Sequence, residues 1–138
     1  MKIDYDEIAR IFDVFLEADT AFIRLEDVGW ERSQRHSDSH QKLVFHLLLL
    51  VENGFISNRY LETGTAKSIG LTPTSLGYSY SGTSVRLTQD GHDFAKALHQ
   101  KPILERIKQD LADAPMTLVT DVGKQWLTSF LKKKLGIE

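Results

Sequence analysis

The chain contains no cysteine. That absence removes disulfides, thiolate metal ligands and cysteine nucleophiles together, and it fits a reducing compartment. Long apolar runs are missing as well. The longest, Leu47–Val51, falls far short of the roughly 20 residues a membrane span requires. Near Met1, Asp4, Asp6 and Glu7 occupy the stretch where a signal peptide would carry its apolar core, so the sequence predicts a cytoplasmic protein with no membrane partner. A strong charge of one sign is also lacking. Seventeen basic residues face 19 acidic ones, a formal net charge of -2, which is not the footprint of a strongly basic nucleic-acid binder.

What is present suits one ordinary domain with an appendage: 138 residues, 41% of them hydrophobic, enough to bury a core. The charge is unevenly spread. Residues 1–30 carry three basic against eight acidic side chains, residues 31–88 carry six against four, and residues 89–138 carry eight against seven. The acidic segment is therefore N-terminal and the middle of the chain is mildly basic.

Periodicity predicts a first helix over "DYDEIARIFDVFLEAD", with Ile8, Ile11, Phe12 and Phe15 on one face and Asp4 followed by Glu7 as a capping box. "TAFIRLED" reads as one short strand and "GWERSQRHSDSH" as a polar loop. The clearest helix is "SDSHQKLVFHLLLLVENGF". Asp38 with Gln41 suggests its cap, Gly54 and Phe55 its stop, and its apolar residues cover nearly all sides, as in a core or a subunit interface. Two strands follow, near Phe55–Leu61 and Tyr78–Leu87, joined by a long Gly/Ser/Thr-rich excursion in which Tyr78 and Tyr80 alternate with serines. "TQDGHDFAKALHQ" begins another helix, with Thr88 as N-cap and Gly91 in its first turn. There the missing side chain would let the helix start lie against the preceding hairpin. Pro102 and Pro115 bound a helix with Leu104, Ile107 and Leu111 on its apolar face. The last helix gathers Val119, Val122, Trp126, Leu127, Phe130 and Leu131 on one face, carries Lys132, Lys133 and Lys134 in its final turn, and stops at Gly136.

This order predicts an α+β fold: a winged helix-turn-helix-like domain, mainly helical, with a small antiparallel sheet (the wing) and extra C-terminal helices. Residues 1–100 would form the winged-helix-like domain. Residues 101–138 would form a helical extension that packs on it or makes a homodimer seam. In such folds the helix before the hairpin lies in the DNA major groove.

Two phrases sharpen the expectation: "HLLLLVENGFI" before the first strand and "VRLTQDGHDF" after the last. With the start "MKIDYDEIARIF" and the end "LKKKLGIE", the chain resembles the domain-of-unknown-function (DUF) family numbered 2513, found in bacteria and their phages. The likeness is most specific at His46, Leu49, Leu50 and Gly54, and at Leu87, Thr88, Gly91, His92 and Phe94. It departs at Gln89, where an aromatic is common. The resemblance implies a phage- or prophage-type winged-helix protein and transfers no activity and no catalytic residues.

Candidate chemistry is sparse. His36 and His40 are four apart, but a zinc site wants three or four ligands, so no metal and no cofactor is expected. His46, on the apolar helix, reads as a packed, hydrogen-bonded core residue. Ser33, His36 and Asp38 share only the residue types of a triad, without an elbow or oxyanion signature. "ENGF" and "QDGHDF" lack the convergent amides of a phosphate loop. The sequence thus predicts no enzyme. For double-stranded DNA the candidates are Arg32, Arg35, His36, Ser39, Gln41 and Lys42 around the start of the second long helix, with Arg59, Lys67 and Arg86 on or near the wing. The leading expectation is a transcriptional regulator that binds DNA. The alternative is a non-enzymatic protein-interaction module, a phage accessory or inhibitor protein that keeps the fold and binds a protein partner.

Overall fold

The computed structural model describes residues 1–137. These form five α-helices and two separate two-stranded antiparallel sheets, an α+β architecture. The chain divides into two compact units, Met1–His92 and a smaller one from Asp93 onward. The division falls within a helix, upstream of residue 100, where the sequence suggested the boundary.

The first unit begins with α1 (Tyr5–Glu17), which buries Tyr5, Ile8, Ile11 and Phe12. Asp4 caps it as expected: its Oδ1 accepts from the amides of Asp6 (2.9 Å) and Glu7 (3.2 Å). The reciprocal half of the box is replaced. Glu7 pairs with Arg10 at 2.7 Å, and the Asp4 amide donates to His46 Nε2 at 2.9 Å. The expected strand over "TAFIRLED" shrinks to a single antiparallel bridge, Ile23 with Val85, followed by a 3-10 turn over Leu25–Val28. Arg24 and Asp27 favour that turn because the Asp27 carboxylate accepts from the Arg24 amide (2.9 Å).

Helix α2 (Asp38–Glu52) starts one residue earlier in its cap than the sequence suggests. Ser37, not Asp38, is the N-cap, accepting from the His40 amide at 3.1 Å, which leaves Asp38 in the first turn where an anion suits the dipole. Gln41 is likewise no box partner; its side-chain Nε2 donates to the Arg35 carbonyl at 2.7 Å. The C-terminus matches the sequence reading. Gly54 takes the left-handed conformation (φ 76°), its N–H reaches Val51 O (3.0 Å) and that of Phe55 reaches Leu50 O (2.9 Å), the Schellman pattern with its hydrophobic partner. Leu43, His46, Leu47, Leu50 and Val51 are buried, while Val44, Phe45, Leu48 and Leu49 are half-buried. His46 is the packed core histidine expected. Its Nδ1 lies 2.7 Å from Lys42 O, so Nδ1 carries the proton and Nε2 accepts from Asp4.

After α2, β1 (Ile56–Asn58) pairs with β4 (Val85–Leu87), Ile56 opposite Leu87. The long excursion between them is not bare loop. It contains a 3-10 turn over Lys67–Ile69 and its own hairpin, β2 (Leu71–Thr74) with β3 (Gly77–Tyr80). The expected strand Tyr78–Leu87 is thereby cut in two, because residues 81–84 turn the chain away from the hairpin and into β4. Counting Ile23, three extended segments line up around β4 in the first sheet, and the hairpin stands apart from it.

Helix α3 (Gln89–His99) opens at Thr88. Its Oγ1 accepts from Gly91 N (3.0 Å) and donates to Gly54 O (2.6 Å), and its own amide donates to Phe55 O (3.0 Å). A Cβ at Gly91 would sit 2.1 Å from that same Phe55 oxygen. The glycine is therefore a close-approach residue. The backbone it meets is the turn between α2 and β1, not a hairpin as the sequence suggested. His92 is exposed.

The second unit holds most of α3, α4 (Lys101–Asp110) and α5 (Met116–Leu135). The faces differ from the sequence reading. Helix α4 buries Ile103 and Ile107, with Leu104 half-buried and Leu111 at the C-cap. Helix α5 buries Val119, Thr120, Gly123 and Leu127, and leaves Phe130 and Leu131 exposed. The stripe runs through Gly123, which faces Phe94 and Ile107; a Cβ there would make ordinary contacts at 3.5 Å and 3.6 Å with them. Trp126 is half-buried beneath the Arg106 guanidinium, 4.3 Å from its ring centre, a cation–π contact.

Candidate functional site

All nine residues singled out for DNA lie in the first unit, but they do not form one patch. Arg32 sits in a one-turn 3-10 helix (Arg32–Gln34) ahead of α2 and Arg35 just after it. Both line an open cavity of about 450 Å³ together with Trp30, His40, Tyr78 and Tyr80. Neither arginine has an ion-pair partner among the described residues. His36 and Ser39 are exposed, the latter sharing a hydrogen bond with Ser37 at 3.3 Å. Gln41 is committed to Arg35 O, as above.

Lys42 is not the free cation the sequence suggests. Its Nζ lies 2.6 Å from Asp4 Oδ2. The hydrogen bond and charge of that carboxylate hold the ammonium above its ordinary range, with Glu7 and Asp6 adding to the effect. Burial alone would raise the Asp4 carboxyl, yet Lys42 and the amides of Glu7 and Asp6 bring it below the usual value. The spacing that exposes Lys42 on α2 also points it at the acidic first turn of α1. Arg59 packs over the Tyr60 ring (5.8 Å) and lines a second hollow with Lys67, Asn58 and Glu62. Arg86 is half-buried in β4 opposite Ser57.

The cavity's chemistry comes mainly from residues with no DNA role in the sequence reading. Trp30, 6% exposed, stacks edge-on against His40 with ring centres 4.7 Å apart and lies 6.0 Å from Tyr80 at a tilt. The Tyr80 hydroxyl donates to Thr83 O and accepts from the Leu25 amide (3.1 Å), which fixes the ring. Burial raises its pKa. His40 is 5% exposed, and its Nδ1 is buried with no hydrogen-bond partner. Burial, then the neighbouring Arg35 charge, lowers its pKa, so the ring is neutral near pH 7. The one sequence signal for the cavity's aromatic wall is the alternation of Tyr78 and Tyr80, which places both rings on one face of β3. Nothing local marks Trp30 or His40 as their partners.

His36 and His40 do not act as a pair, one being exposed and the other buried. Among the described residues no three His, Asp or Glu side chains come together as a metal cluster would, and no helix is long and apolar enough to cross a membrane. Comparisons with protein-family models, with curated proteins and with solved structures returned no match for this chain.

Proposed function

We propose that residues 1–92 form a winged-helix-type module that binds double-stranded DNA in a non-enzymatic, regulatory role. A helix leading directly into antiparallel strands, with an added hairpin beside its N-terminus, supports the reading. The observation that carries it is the pair Arg32 and Arg35. They stand at the start of α2, beside the hairpin, and no carboxylate among the described residues neutralises them. Such side chains are available to phosphates. The phage or prophage setting, and the kinship with the family numbered 2513, rest on sequence resemblance alone.

The test is fluorescence anisotropy with a duplex of about two helical turns, titrated at about 50 and 200 mM salt. Binding should weaken steeply with salt, and Arg35→Ala should lower the slope of log K against log salt by about one. Lys42→Ala, its charge already held by Asp4, should change the slope less. Absence of binding at the lower salt would refute the proposal. It would favour the second reading, a protein-interaction module, which one observation supports: Asp4, Asp6 and Glu7 lie close enough to Lys42 to act on its charge, so the α1 side of the α2 N-terminus is acidic.

A further inference from the structure

We propose that the cavity between the start of α2 and the β2–β3 hairpin is a binding site for a planar aromatic anion of about nucleotide size. The site shares Arg32 and Arg35 with the proposed DNA-contacting surface, but its aromatic wall and its test do not depend on DNA being bound. Its volume, about 450 Å³, lies within the range of about 300–1,000 Å³ typical of small-molecule sites. Its walls supply the three things such a ligand needs.

The first is a ring platform. Trp30 and Tyr80 lie 6.0 Å apart at a 55° tilt, and Tyr78 lines the same wall from β3. Half-buried Tyr78 and Tyr80 present ring surface to the cavity, backed by the buried Trp30, and such surface offers stacking to any flat ring, whichever heteroatoms it carries. Trp30 is held by His40 on one side, and Tyr80 by its two hydrogen bonds to Thr83 and Leu25. The platform therefore exists before the ligand arrives, and little ordering remains to oppose binding.

The second is positive charge that nothing on the protein uses. Arg32 and Arg35 both line the cavity and have no ion-pair partner among the described residues. The one carboxylate in the wall, Glu26, is engaged by Arg24 at 3.3 Å. A guanidinium matches a carboxylate or phosphate with two parallel hydrogen bonds.

The third is an unanswered polar atom. His40 is 95% buried by its 5% exposure, and its Nδ1 has no partner. Buried polar atoms are nearly always paired, and an orphan signals a missing partner. The atom is closed off from the cavity in this structure, so a ligand edge reaches it only if the wall gives way; a neutral imidazole, with one donor and one acceptor, suits a heteroaromatic edge there better than a second anion. Stacking, a charged fork and a single edge contact together describe a nucleotide or an aromatic carboxylate rather than a lipid or a metal ion.

The experiment uses the unmodified full chain. The indole N–H signals of Trp30 and Trp126 are followed by ¹⁵N–¹H NMR during titration with adenosine 5′-monophosphate, benzoate, adenosine and ribose 5-phosphate. The expected result is a saturable shift of the Trp30 signal with adenosine 5′-monophosphate or benzoate, with Trp126 unmoved. Adenosine and ribose 5-phosphate, each lacking half of the ligand, should bind at least about tenfold more weakly, and Arg35→Gln should raise Kd by about tenfold. A 5′-phosphorylated oligonucleotide distinguishes the sources. If it shifts Trp30 at lower concentration than both the mononucleotide and the same strand lacking the 5′ phosphate, the site takes the end of a strand; if not, it takes a free nucleotide. No saturable Trp30 shift with either aromatic anion overturns the proposal, as does an equal shift in folded Arg35→Gln protein.

Discussion

Replacing Gly91 by alanine should destabilise the protein, although in an ordinary helix the same change stabilises it by about 1 kcal/mol. The added methyl carbon would lie 2.1 Å from Phe55 O and 2.9 Å from Phe55 C, both backbone atoms that no rotamer change can move. To restore a normal contact the start of α3 must retreat by about 1 Å or more. That movement stretches the bonds from Thr88 N to Phe55 O (3.0 Å) and from Thr88 Oγ1 to Gly54 O (2.6 Å). Each is worth about 1 kcal/mol net, with a further cost where a buried carbonyl is left bare. Disturbing the Thr88 cap adds about 0.5–2 kcal/mol. Subtracting the propensity gain leaves a loss of about 2–4 kcal/mol. Denaturant unfolding followed by both circular dichroism and tryptophan fluorescence measures it. Gly123→Ala is the internal control. It too is a helical glycine, but its nearest prospective contact is an ordinary 3.5 Å to Phe94, so alanine there should be neutral or stabilising by up to about 1 kcal/mol. Equal effects at the two positions would refute the close-approach reasoning.

Two further outcomes follow from the cavity walls. Tyr80→Phe removes the hydroxyl that joins Thr83 O to the Leu25 amide; it should cost about 1–2 kcal/mol, and the Leu25 amide should lose hydrogen-exchange protection, whereas unchanged protection would show that the hydroxyl carries nothing. His40 has a folded pKa below its ordinary value of 6.5. Its contribution to stability is therefore complete above about pH 6.5 and is lost as pH falls through the lower folded value. His40→Phe, which keeps a ring against Trp30, should flatten that part of the stability–pH curve, and an unchanged curve would contradict it.

The parts of this architecture that sequence reading captures are those fixed by local chemistry. The Gly54–Phe55 stop, the Asp4 and Thr88 caps and the buried His46 all depend on residues within a turn of one another, or on an apolar stripe that admits one histidine. The cap of α2 was one residue off because Ser37 and Asp38 are both good N-caps and only the backbone path chooses between them. The faces of α4 and α5 are legible only in part: Ile107, Val119 and Leu127 are buried as the periodicity predicts, and Phe130 and Leu131 are not. Hydrophobicity points to Phe130 and Leu131, whereas packing turns the face carrying Thr120 and Gly123 inward and leaves those two exposed. The hairpin at 71–80 was missed because Pro73, serines and threonines resemble a loop, and its register comes from cross-strand pairing rather than from an apolar alternation. Of the candidate site, Arg32 and Arg35 were legible as basic residues before a helix. Lys42's engagement by Asp4 depends on how α1 meets α2, and Trp30's position beside His40 and Tyr80 joins three distant segments.

The β2–β3 hairpin has a consequence of another kind. It shares no strand pairing with the sheet that closes the core, its residues 72–77 are all exposed, and its reach back to the Leu25–Val28 turn includes one phenol on one amide. Ser75 and Leu76 at the tip are exposed and line the cavity shared with Trp30 and His40, so changes in length or side chains there reshape the cavity wall without opening the core. The hairpin is thus the place where relatives could diverge in what they recognise while inheriting the same core, and where a laboratory could graft a new loop with the smallest risk to folding.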